Sequence, residues 1–144
     1  MGSLKRPGGP DTPLRKRIAQ LRRGRADFEA LVAEAIRLLP PRFRSRLENV
    51  EVVVEEAPTV EDLRLAGIEP GGTLLGLYRG TPRSERSVWQ GGMLPDQIVI
   101  YRRPIQSVAR DRGALVREIR VTLMHEIGHY FGMDEDDLRD VGYE

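Results

Sequence analysis

Apolar residues recur along this chain with two different periods. Phe28, Leu31, Val32, Ala35, Ile36 and Leu39 fall on one face of a 3.6-residue repeat, so the spacing predicts an amphipathic, core-facing helix. Asp27 suits its N-cap, and Pro40-Pro41 stops it. Val50 to Glu56 reads VEVVVEE, and its three consecutive valines predict a strand buried on both faces at its centre. Gly71-Gly72 then introduce TLLGLYRG, a second strand closed by Gly80-Thr81-Pro82. A loop rich in Arg, Ser and Gly leads to DQIVIYRRP, a third strand ended by Pro104. From about Asp111 the period lengthens again. Leu115, Ile119, Leu123, Ile127 and Phe131, with Val116 and Thr122 beside them, predict a long helix, and Gly132 is placed to stop it as C′.

Helix, three strands and a long helix make one α+β domain, which suits a chain of 144 residues. Charge divides the chain unevenly. Residues 1 to 25 carry eight Lys/Arg against one acid, whereas the remainder carries fifteen against twenty-one. Met1 to Pro13 is rich in Gly and Pro, and Leu14 to Arg25 is charge-dense with a glycine at 24, so residues 1–26 are expected to be a disordered basic extension and 27–144 the folded domain. Nothing aromatic interleaves the basic charges, so base stacking has no support and a nucleic-acid partner is not expected. No apolar run approaches the ~20 residues that span a bilayer, and no apolar segment backs the basic N-terminus as in a secretory signal. Cytoplasm is the expected compartment, and no membrane partner is expected. The sequence assigns no oligomeric state.

The chemistry sits in MHEIGHYFGMDEDDL, residues 124 to 138. His125 and His129 are the only histidines, four apart on a predicted helix, so both imidazoles share one face and can meet one ion. Glu126 lies beside them, placed to take a proton from water that the ion acidifies and pass it to a leaving amine. Chance places two lone histidines around a glutamate in this way roughly once in a thousand such chains. The pattern is read as a site. With no cysteine, any metal must be held by His, Asp or Glu, and one zinc ion is the expected cofactor.

An open zinc site takes three protein ligands. In the HExxHxxGxxH arrangement a glycine turns the chain so that a residue six past the second histidine reaches the ion. Here Gly132 occupies the turn and Glu135 the sixth position, giving HExxHxxGxxE. Glu135 is the expected third ligand, with Asp134 and Asp136 left open as alternatives in the same acidic turn.

FEALVAEAIRLLP, LENVEVVVEE, LLGLYRGTPRSER, LPDQIVIYRRP and above all VTLMHEIGHYFGMDEDDL resemble the small bacterial zincin-like metallopeptidase family, long catalogued as a domain of unknown function. The likeness covers about residues 27 to 143. The family motif is HExxHxxGxxD, so the resemblance implies that His125 and His129 are metal ligands, Glu126 the general base and Gly132 the turn. Glu135 departs from the family's Asp. The implied architecture is a minimal zincin-like fold of α+β class. In it the HExxH helix and an N-terminal helix pack on a small mixed sheet of three to four strands.

Zincins in general bind an extended peptide along an edge strand above the metal, which makes LLGLYRG a candidate for strand addition. Arg83 and Arg86 are candidates for holding a carboxylate or stabilising an oxyanion, and Tyr130 or Tyr143 for polarising a carbonyl. The expected function is zinc-dependent hydrolysis of peptide bonds in a peptide or protein substrate. The alternative is a non-catalytic peptide- or protein-binding or scaffolding protein on the same fold. A metal-dependent ribonuclease would use a three-histidine site, and this chain has two histidines.

Overall fold

The computed structural model of the chain describes residues 13–80 and 95–132. In order these form α1 (Pro13–Arg37), α2 (Pro41–Arg44), a 3-10 turn (Ser45–Leu47), β1 (Val50–Glu55), α3 (Val60–Leu65), β2 (Gly76–Arg79), β3 (Asp96–Tyr101), α4 (Arg102–Val108) and α5 (Arg112–Tyr130). The strands form one mixed sheet in the order β1-β3-β2. β3 runs parallel to β1, with Val52 opposite Ile98, and antiparallel to β2, with Tyr78 opposite Ile98. This is an α+β architecture with five helices and a small three-stranded sheet among the described residues.

Both predicted helix faces are buried as their spacing requires, except at Phe131, which lies past the end of α5 and is exposed. Phe28, Leu31, Val32, Ala35 and Leu39 meet Val116, Ile119, Leu123 and Ile127 in one core, closed from the sheet side by Val54, Ile98 and Ile100. Gly132 adopts φ +69°, the left-handed conformation that ends α5, and its N–H donates to His129 O at 3.3 Å. No helix among the described residues is long and apolar enough to cross a membrane.

The boundaries differ from the sequence reading at four places. α1 begins at Pro13, so Asp27 lies inside a continuous helix and caps nothing. The segment before it is built of strong helix formers. Its Gly24 gives the Arg102 guanidinium room, since a Cβ there would sit 2.5 Å from Arg102 Nη1. Arg25 also donates to the Val54 carbonyl, tying this half of α1 to β1. Residues 1–12 of the expected extension lie outside the described residues.

The strand buried on both faces is β3, not β1. Ile98, Val99, Ile100 and Tyr101 are fully buried because β3 has a strand on either side, whereas β1 pairs only with β3 among the described strands and leaves Val52 and Val53 half-buried. β3 stops at Tyr101, earlier than Pro104. Pro104 instead sits in the first turn of α4, where its missing N–H costs no helical bond. Finally, the polar connection after β1 contains α3, started by a capping box. Asp62 N–H donates to Thr59 Oγ1 at 3.0 Å and Thr59 N–H donates to Asp62 Oδ2 at 3.1 Å.

Asp62 does more than cap. Tyr101 Oη donates to its Oδ2 at 2.8 Å and Arg79 Nη2 donates at 2.9 Å, while Arg79 also forks onto Glu55 at 3.0 and 3.1 Å. One guanidinium thus joins β1, β2 and α3, and a buried tyrosine brings in β3. Burial pushes the Asp62 carboxyl up, but the Thr59 amide, Tyr101 and Arg79 together outweigh it and hold the group below its ordinary 3.8. On the opposite face of β2, Gly76 lies against α5, where a Cβ would come within 2.6 Å of Thr122 Cγ2 and 3.0 Å of the Val99 carbonyl.

Gly76→Ala is therefore expected to destabilise the fold by about 1–3 kcal/mol, read as a lowered urea midpoint. Asp62→Asn is expected to cost about 2 kcal/mol at neutral pH. Because the folded-state pKa of Asp62 is depressed, its contribution is present above the unfolded value near 3.8 and is lost as pH falls below it. The gap in stability between wild type and Asp62→Asn should be constant above about pH 5 and shrink below pH 4 in denaturant titrations.

Candidate metal centre and its edge strand

α5 is capped by Asp111, whose Oδ1 accepts from Ala114 N–H at 2.8 Å, and runs from Arg112 to Tyr130. Its buried side is set by Val116, Ile119, Leu123 and Ile127, and this orientation decides where the motif residues point. His125 and His129 emerge one turn apart on a single face. Their ring centroids lie 4.1 Å apart in an edge-on arrangement, with His125 half-buried and His129 exposed. Burial, and then the neighbouring His129, lowers the His125 pKa from its ordinary 6.5. That favours neutral imidazole, the form that ligates metal.

Glu126 faces β2. Tyr101 N–H donates to the Leu75 carbonyl at 3.0 Å, which sets the alternation of the antiparallel pair: Leu77 bonds inward to Val99, and the backbone groups of Gly76 and Tyr78 point away from β3. The Tyr78 N–H donates to Glu126 Oε1 at 3.1 Å. The general-base candidate is thus seated on the rim of β2 that faces away from β3, an edge of the sheet among the described residues. Burial raises the Glu126 pKa, opposed by the Tyr78 amide and by His129.

The Tyr78 side chain braces the same corner. Its ring stacks on Tyr130 with centroids 3.8 Å apart and planes at 13°, and its hydroxyl donates to Asp96 Oδ2 at 3.1 Å. Tyr130, a candidate for polarising a carbonyl, is half-exposed in this stack and lies edge-on to Phe131. Sequence reasoning picked out the strand but not Tyr78. The signal was Gly76, since a glycine inside a strand marks close approach of another segment.

Two imidazoles on one helix face, one of them with its pKa lowered by burial, fit as part of a zinc donor set. No group of three His, Cys, Asp or Glu suited to a metal occurs among the described residues. The expected third ligand, Glu135, and its alternatives Asp134 and Asp136 lie outside the described residues, as do Arg83, Arg86 and Tyr143.

A profile of the family described as zincin-like metallopeptidase matches residues 47–143. No significantly similar protein is found among curated proteins. Among solved structures, a conserved hypothetical protein from Thermo thermophilus is similar at 23% identity and a TM-score of 0.48, over 74% of this chain and 92% of that one.

In chelator-treated protein, the His125 imidazole should titrate below 6.5 by NMR. His129→Gln should move it upward only in part, because burial is the larger cause.

Proposed function

The chain belongs to the zincin-like metallopeptidase family, and from that premise we propose that it is a zinc-dependent peptidase in which Glu126 acts as the general base. The observation that carries this reading is one corner of the fold. Two histidines share a face of α5, and the glutamate between them is held by the edge-strand amide of Tyr78. His125 and His129 would hold the ion, with an acidic third ligand from Glu135, Asp134 or Asp136. Zinc bound there would supply a Lewis acid that polarises a carbonyl and acidifies water.

The remaining steps belong to the chain's own residues. Glu126 takes a proton from the attacking water and returns it to the leaving amine. A carboxylate pushed up by burial suits both halves of that transfer better than one at the ordinary glutamate value. With the Tyr78 N–H held by Glu126, the outward Gly76 N–H and the carbonyls of Gly76 and Tyr78 would pair with an extended peptide and bring its scissile bond against Glu126.

Elemental analysis after zinc loading is expected to give close to one zinc per chain. His125→Ala and His129→Ala should lose it, Glu126→Gln should keep it, and Glu135→Ala should weaken retention more than Asp134→Ala or Asp136→Ala. Glu126→Gln should also lower kcat/KM for peptide cleavage by about 10²- to 10⁴-fold. Cleavage that survives in Glu126→Gln would overturn the general-base role. Zinc retention without any cleavage of a diverse peptide library would point instead to a binding module on this fold.

A further inference from the structure

A groove of about 330 Å³ opens beside His125 and Glu126, between the segment leading into β2 and the exposed flank of α5. Leu74 and Leu75 form one wall and Val121 and Thr122 the other, while Glu118 stands at the end away from Glu126. Seven residues separate Glu118 from His125, two helical turns or roughly 10 Å along the axis, so both lie on one face. The groove therefore runs about two helical turns along α5. It reaches from the proposed site of bond cleavage to a single carboxylate.

Glu118 is half-buried, and its side chain makes no hydrogen bond or ion pair among the described residues. Its backbone carbonyl accepts from Thr122 Oγ1 at 2.8 Å, which keeps the Thr122 hydroxyl turned to the helix and its methyl towards Gly76. Among the described lining residues the charged side chains are Glu118 and Glu126, with no Lys or Arg. A carboxylate set against an apolar wall is partly desolvated, and a cationic guest offsets that cost. An aliphatic stem fits Leu74, Leu75 and Val121, as the long stems of lysine and arginine do when their heads reach a polar end. An acidic guest would meet two like charges, and a short apolar one would leave Glu118 without a partner.

We propose that this groove is a specificity pocket for a basic side chain, lysine or arginine, next to the scissile bond of a peptide lying along β2, and that Glu118 selects it. The inference rests on the peptidase reading above and names the substrate class of that same site.

The test has two arms. In the first, zinc-loaded wild type and Glu118→Gln are given peptide mixtures in which each position in turn is Lys, Arg, norleucine or Glu. Cleavage beside Lys or Arg is expected to exceed cleavage beside norleucine by about tenfold in the wild type and to fall to near parity in Glu118→Gln. Glu118→Lys should turn the preference towards Glu. In the second arm, the zinc-loaded Glu126→Gln protein binds short lysine and norleucine peptides, followed by NMR shifts with and without Glu118→Gln. Unchanged thermal unfolding of Glu118→Gln separates selection from damage to α5. Hydrolysis without a basic preference, or with one that Glu118→Gln leaves intact, overturns the pocket while the peptidase reading stands. Lysine-selective, Glu118-dependent binding without hydrolysis sustains the pocket and overturns the peptidase reading. Failure in both arms overturns the pocket.

Discussion

The hydrogen bond from Tyr78 N–H to the Glu126 carboxylate makes the histidine helix and the sheet edge one unit. A backbone amide on the outer rim of a strand ordinarily bonds to water or to another strand. Here it bonds to a side chain from α5, which can reach it because the helix approaches β2 very closely. The approach depends on Gly76, two residues earlier on the same face, where any Cβ would strike Thr122. A bond to a charged acceptor contributes about 1.5–3 kcal/mol. It also sets where Glu126 stands relative to His125 and His129.

β2 has four residues, too few to hold a position by strand pairing alone. Its two faces are anchored by different chemistry. Gly76 and Tyr78 face α5, through close packing and the Tyr78–Tyr130 stack. Arg79 faces the other way and is held by Glu55 and Asp62, with Tyr101 completing the group from β3. The period of two along a strand makes this division possible, because alternate residues serve opposite layers. A network built to hold the sheet thereby keeps the Tyr78 amide at the place where Glu126 meets it.

Two glutamates on α5 have been given different surroundings. Glu126 is drawn into the corner formed with β2, and burial raises its pKa while the Tyr78 amide stabilises the charge. Glu118 stands two turns earlier at the end of the adjoining groove, with no ion-pair partner among the described residues. The first environment suits proton transfer and the second suits recognition of a cation. Helical repetition places both on the flank that also carries His125.

The periodic features were legible in the sequence, because they depend on local geometry alone. The faces of α1 and α5, the HEIGH spacing and the Gly132 stop all follow from 3.6 residues per turn and from the freedom of glycine at positive φ. The Thr59-Asp62 capping box and the glycine at 76 were also readable signals, yet their meaning lay in segments far away along the chain. Sequence alone could not say that, among the described strands, the valine run of β1 would lie at an edge and β3 at the centre, since strand order is a matter of which distant segments pair. Nor could it show that Asp27 would fall inside a helix prolonged by tertiary contacts from Arg25 and Gly24. The sequence by itself determined that His125 and His129 share one helix face with Glu126 beside them. Only the tertiary structure decided that Tyr78 would hold Glu126 and that Glu118 would end a groove beside it, because both depend on how closely β2 packs against α5.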